Sequence, residues 1–390
     1  MVNTNIIIKT VTSKRDRARF IDFPANLYRN CPQFTPYLFE DEMDNLDPEK
    51  NPAVRYCDFR LFMAYKGKKI VGRICAIINR YANQKYNQKR IRFNRIDMID
   101  DIEVTKALLD AVCNYGRSFG LEEIVGPLGF SDQDKEGLLT YGFDQDNCFM
   151  TLYTHEYYVT HLTQLGFKPD AVWNEYRIFI PKETDPRFIK IAEYTAKKHN
   201  VRIVRPISKK PVHLKPYIHQ ILHLMNRAYD HLYGYVPVAE DLMDHLAAQY
   251  IPMINLDYLQ IVVNPENKVV GFALMIPSPA KALKKSKGHL FPFGFIGFLR
   301  ALKRGKTLDM LLVAVEPELK NSGILAMMFA EAVRYAIKNG AQYAETGPEL
   351  SDNSNINLLW KSFEHIKHKE RACFLRPIEW TPAADDEAKK

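Results

Sequence analysis

Residues 311–329 read LLVAVEPELKNSGILAMMF. An apolar strand ends at Pro317, a polar stretch runs to a single glycine, Gly323, and from Ile324 the apolar residues take on helical spacing through AVRYAIKNG. A helix start leaves backbone N–H groups unpaired and carries partial positive charge, so a tight turn placed there can hold a phosphate-bearing cofactor. The same geometry also serves as a plain strand-to-helix connection, and the surrounding chain has to decide between the two.

Working outward, the strands YLQIVVN and KVVGFALMI precede this unit, and the strand AQYAETGP follows it. VRIVRPIS and helical segments from Pro216 to Tyr250 open the same half. The first half has the same order. A strand at Asn5–Thr10 leads to a helical stretch at Arg15–Tyr28, and FRLFMAYKGKKIVGRICAIIN predicts two antiparallel strands turning at Gly67. The strand IRFNRIDMI, the amphipathic helix DDIEVTKALLDAVCNYGRSFG and the strand LEEIVGP come next, then HEYYVTHLTQLGFKPDAVWNEYRIFI as helix, turn and strand. The Pro- and Asp-rich segment CPQFTPYLFEDEMDNLDPEKNP is expected to be an ordered irregular loop, because its prolines interrupt any helical period. Local pattern repeats as well: each half has a helix ending near a glycine, a short strand, Gly126-Pro127 or Gly347-Pro348, and then FSDQ or LSDN. Order and pattern together predict a duplication.

With 390 residues the chain exceeds one ordinary core. The expected division is residues 1–180, a connecting helix at 181–200, a second domain at 201–380 with a basic insertion at 279–307, and a flexible tail at 381–390. Six scattered cysteines without C-x-x-C spacing read as free thiols in a reducing compartment. No stretch has the layout of a signal peptide or an apolar run of the ~20 residues that span a bilayer. A cytoplasmic location is expected from these features. The net charge of +8 is local, since eight basic residues and no acid lie between Lys281 and Lys306.

The motif around Gly323 resembles that of the GNAT acyltransferase superfamily, V-x-P-x-x-[RQ]-x-x-G-x-[GA], and the resemblance extends from Val201 to Arg376. The first half looks like a degenerate copy, so the chain resembles tandem GNAT proteins. This resemblance implies an α/β (α+β) fold of two domains, each a mixed, mostly antiparallel central sheet flanked by helices. It also implies an N-acyltransferase that moves an acetyl or other acyl group from acyl-CoA to an amine. Lys320 stands where the family has Arg or Gln, Gly323 is the family glycine, and Leu325 replaces a second Gly or Ala. Cofactor contacts are expected from Val313 and Val315 on the strand, from Lys320, Asn321, Ser322, Gly323, Ile324 and Leu325 in the turn, and from Asn355 on the far side. Leu325 is expected to crowd a diphosphate. Glu345 and Glu316 are the candidate bases. A tyrosine is often found on the helix after the asparagine, but NINLLWKSFEH has Trp360, Ser362 and Phe363 there. In the first half Asp100 and Asp101 precede the corresponding helix and would repel a phosphate, so no coenzyme is expected in that domain.

No metal site is expected. His155 and His161 in HEYYVTH are six apart where the zinc-protease pattern needs four, and His365 and His368 fit a solvated face of a lysine-rich helix. The insertion KKSKGHLFPFGFIGFLRALKRGK is expected to cap the substrate cleft, with a membrane surface or RNA as other partners. The resemblance to tandem GNAT proteins also implies an alternative, a transferase using aminoacyl-tRNA, with nucleic acid the less favoured partner, and a third reading is a non-catalytic binding module.

Overall fold

The computed structural model of the chain describes residues 5–303, 305–351 and 359–381. The first half contains β1 (Ile6–Thr10), α1 (Lys14–Leu27), α2 (Phe39–Asn45), β2 (Cys57–Lys66), β3 (Lys69–Asn79), α3 (Arg80–Lys85), β4 (Arg90–Met98), α4 (Ile102–Arg117), β5 (Glu123–Gly126), β6 (Leu138–Tyr141), α5 (Tyr157–Gln164) and β7 (Lys168–Phe179). After α6 (Pro186–His199) come β8 (Arg202–Val204), α7 (Pro211–Tyr229), α8 (Glu240–Tyr250), β9 (Leu259–Val263), β10 (Val269–Pro277), α9 (Ala280–Ser286), α10 (Gly294–Lys303), β11 (Thr307–Val315), α11 (Ile324–Lys338), β12 (Tyr343–Glu345), β13 (Glu349–Leu350) and β14 (His365–Pro377).

Local chemistry sets the boundaries. Ser13 starts α1 by accepting from the Asp16 amide at 3.1 Å, and Asp101 starts α4 by accepting from the Glu103 amide at 3.0 Å. Asp185 followed by Pro186 starts α6, and Asn200 in the left-handed region ends it. Alternation along the strands divides the core between the sheet faces. Ile74, Ala76 and Ile78 of β3 pack beneath Leu108 and Val112 of α4, while Cys75 and Ile77 meet Phe20 of α1. In the second half Ile261 and Val263 of β9 face Leu222 and Met225 of α7, and Val262 faces Ile324 and Met328 of α11.

All strands form one sheet, in the order β1-β2-β3-β4-β5-β14-β7-β12-β11-β10-β9-β8, with β6 on β14 and β13 on β7. Read from either end, the pattern is the same. Each half runs antiparallel to a fourth strand, which pairs in parallel for only three residues with the strand after the helix: Arg90–Arg92 against Glu123–Val125, and Thr307–Asp309 against Tyr343–Glu345. That fourth strand bulges in both halves, at Arg95 and at Leu311. The last strand of each half then crosses over: β14 lies against β5, and β7 lies against β12. The duplication is therefore a pair of halves that complete each other's sheet.

Three expectations fail. Residues 39–45 form α2, because its start is rich in acids (Glu40, Asp41, Glu42) and Glu42 is anchored from outside by Arg95 at 2.8 Å. His365 and His368 are on strand β14, whose Lys369 and Arg371 are fully buried and ion-paired. The insertion forms two helices, α9 and α10, which pack on the α2 segment; no described residue of it lines the cavity described below.

Candidate active site

Beyond Asp309 the strands β11 and β12 part, and a cavity of about 680 Å³ lies in the fork. Its walls are apolar: Leu274 and Leu312 of the sheet, Leu325, Met328 and Phe329 of α11, and Met225 of α7. The first half closes it with Trp173 and Met150 and contributes Asp132 and Glu136. Both halves thus share one site.

The turn at residues 320–325 forms one rim. Lys320 and Leu325 line the cavity, and Lys320 and Asn321 are exposed. The Ile324 amide reaches the Ser322 hydroxyl at 3.4 Å, and the Leu325 and Ala326 amides have no recorded acceptor among the described residues. Free amides at a helix start are an anion site. Ile324 itself is fully buried and packs on Gly271 and Val262. The Leu325 side chain packs with Phe329 and Trp360 and forms part of the cavity wall.

Gly323 is held by a neighbour within the protein. Its φ is +90°, and a Cβ there would meet the Thr195 hydroxyl of α6 at 2.3 Å, the same hydroxyl that donates to the Ser322 carbonyl at 3.2 Å. Gly323→Ala is therefore expected to lower stability by about 1–3 kcal/mol, measured by chemical denaturation, before any ligand is considered.

Val313 and Val315 lie on β11 facing the cavity, but the Val313 amide is already paired with the Tyr229 hydroxyl at 3.1 Å, and that hydroxyl donates back to the Val313 carbonyl at 2.8 Å. Tyr229, on α7, has its hydroxyl pushed up by burial, so it stays a neutral donor. The first half is filled in the same place: the Tyr158 hydroxyl accepts from the Met98 amide at 3.2 Å, and Asp101 occupies the start of α4.

Neither sequence-predicted base stands free. Glu316 makes a two-pronged pair with Arg227, 2.9 Å for each bond. Glu345 touches Arg177 at 2.8 Å, His368 at 2.9 Å and Lys369 at 3.4 Å. Burial would raise its carboxyl, but these three partners outweigh burial and hold it at about 2. A carboxylate of that acidity is a weak base near neutral pH. Asn355 lies outside the described residues, as does the expected tail apart from Thr381.

Other acids face the cavity. Glu136 is 9% exposed, and its Oε1 and the Oδ1 of Asp132 have no partner among the described residues. Burial pushes Asp132 up to about 7 and Glu136 well above its usual range, each raised further by acidic neighbours. Glu349 accepts from the Trp360 ring N–H at 2.9 Å and is pushed up by burial to about 8. Sequence reasoning used FSDQ only as a mark of duplication. The signal it passed over is three acids within residues 132–136, directly after the Gly-Pro turn.

A tandem GNAT protein from the clavulanic acid biosynthesis pathway matches 97% of this chain and all of its own with a TM-score of 0.57 at 10% identity. The chain has a tandem GNAT fold. A GCN5-related N-acetyltransferase from Sphaerobacter thermophilus covers 97% of each chain with a TM-score of 0.50 at 8% identity. By sequence the GNAT-fold chain is 28% identical over 348 residues to Protein YghO of Escherichia coli strain K12, covering 86% of this chain and 85% of that one. It is 25% identical over 306 residues to bacterial ceramide synthase of Caulobacter vibrioides strain NA1000, covering 77% of each. No family model matches. Within this GNAT fold, no cluster of three metal-binding side chains and no helix long and apolar enough to cross a membrane occurs among the described residues. All six cysteines are free thiols.

Proposed function

We propose that this protein is an N-acyltransferase that moves a long acyl group from acyl-CoA to the amine of a long-chain, apolar acceptor. One observation carries the proposal: a single apolar cavity joins the open amides of α11 at one rim to Asp132 and Glu136, each of which has one buried carboxyl oxygen without a partner among the described residues. At about 680 Å³ it lies within the range of roughly 300–1,000 Å³ that encloses a whole organic ligand, well beyond what an acetyl group fills. The name of the Caulobacter relative supports the same class, because a ceramide is the amide of a fatty acid with a long-chain amino alcohol.

The pyrophosphate of acyl-CoA would sit on the Leu325 and Ala326 amides beside Lys320. Asp132 attracts the acceptor as an ammonium, which gives one proton to solvent water and so becomes the nucleophile. The amine nitrogen attacks the thioester carbonyl, the N–C bond forms as the C–S bond breaks, and the second proton passes to the Asp132 carboxylate. The departing thiolate is protonated from solvent, and Asp132 returns its proton to solvent. A cytoplasmic site of action is part of the same proposal.

Calorimetric titration with palmitoyl-CoA and acetyl-CoA, followed by incubation with sphinganine and mass detection of the amide, tests it. Tighter binding of the longer thioester and amide formation with release of free thiol are expected. Absence of thioester turnover with any long-chain amine would overturn it. Lys320→Glu, at an exposed position, is expected to weaken CoA binding on the order of tenfold without changing the melting temperature.

A further inference from the structure

The insertion carries a surface that the acyl-transfer chemistry does not use. Its inner face is anchored: Leu283, Phe298 and Leu302 pack on Leu38 and Phe149, the Phe39 amide donates to the Gly288 carbonyl at 3.0 Å, and Lys284 donates to Asp146 at 2.6 Å. Its outer face is bare. Phe291 and Phe293 are 71% and 75% exposed, and Phe295, Ile296 and Leu299 continue the apolar crest along α10. Around them Lys281, Lys285, Lys287, Arg300 and Lys303 are exposed, and the segment holds no acid. Large apolar side chains held in water on a fixed scaffold mark a contact surface.

We infer that this face docks on an anionic lipid bilayer, the aromatic and aliphatic crest entering the headgroup boundary while the surrounding lysines and arginines meet anionic headgroups. An amphipathic helix with apolar residues on one side and cations beside them lies in the interface plane in this way. Ile296 and Leu299 decide against single-stranded nucleic acid, since they offer no ring on which a base can stack, whereas both partition into acyl chains. The buried side of the insertion shares one hydrophobic cluster with Met150 and Leu311, which also line the cavity. This binding stands independently of the acyl-transfer proposal.

Flotation of the full chain with vesicles of phosphatidylglycerol in phosphatidylcholine, and with phosphatidylcholine alone, tests it. The protein is expected to float with the anionic vesicles only and to be released in part by salt. Phe291→Ser with Phe293→Ser is expected to weaken the binding at least roughly tenfold, and Arg300→Gln with Lys303→Gln to weaken it and flatten its salt dependence. All four side chains are exposed, so unchanged melting temperatures confirm that the variants fold. The inference fails if the protein stays down with anionic vesicles, if the Phe pair variant floats like the parent, or if the protein binds single-stranded RNA and ignores vesicles.

Discussion

Glu345→Gln is expected to destabilise the fold by about 3–5 kcal/mol. The residue sits where the two halves join: β12 carries it, β7 contributes Arg177 and Glu175, and β14 contributes His368, Lys369 and Arg371. Glu175 lies 3.0 Å from Lys369 and also pairs with Arg371, both of them buried. With glutamine at 345, Arg177 loses its carboxylate partner and the buried Lys369 is left with Glu175 alone, while His368 loses a carboxylate contact. The pH dependence gives a second check. The Glu345 carboxyl is depressed to about 2 from an ordinary value of 4.5, so its contribution is complete above the ordinary value and is lost as pH falls through about 2. That window amounts to about 3 kcal/mol. Urea melts of parent and variant between neutral and acid pH should therefore converge on acidification. Parallel curves would show that Arg177 and Lys369 do not depend on this carboxylate.

This cluster also shows why part of the fold was hard to read from sequence. β14 is a central strand, yet HIKHKERACFLRP shows charge where a buried strand usually shows Val or Ile, because Lys369 and Arg371 are buried against Glu175 of β7, almost two hundred residues earlier. The hydrophobic period is hidden by ion pairs that only the tertiary fold can supply. α2 escaped for a related reason, since what settles its buried Glu42 is Arg95, distant in sequence. By contrast, the hairpin at Gly67, helices α4 and α11, and the repeated strand, helix, strand and Gly-Pro order were legible, because neighbouring residues determine them. The same division holds for the site. The turn at Gly323 stood out through local chemistry, while Asp132 and Glu136 reach the cavity through the pairing of two halves. Gly323 itself answers to Thr195 on α6 before it can answer to a ligand.

Asp132→Asn is expected to lower kcat by about 10²–10⁴-fold, the size of a lost general base. Burial raises the Asp132 carboxyl to about 7, against amide hydrogen bonds from its own backbone and Val236 and the charge of Arg92, which pull it down. A base has to be ionised to accept a proton, so the parent's rate of amide formation should rise with pH through about 7 and level off above. The asparagine variant should lose that rising limb along with its rate. Stability moves in the opposite sense from Glu345→Gln. The Oδ1 of Asp132 is buried without a partner among the described residues, and an ionised carboxylate there costs stability at neutral pH, so the variant's melting temperature should hold or rise. Affinity for acyl-CoA, which the proposal places on α11 and Lys320 across the cavity, should stay close to the parent's. A variant that is slow, well folded and still binds the thioester marks Asp132 as the base. If both the rate and the pH limb survive, the proton goes elsewhere, and Glu349, its carboxyl raised to about 8, becomes the residue to replace.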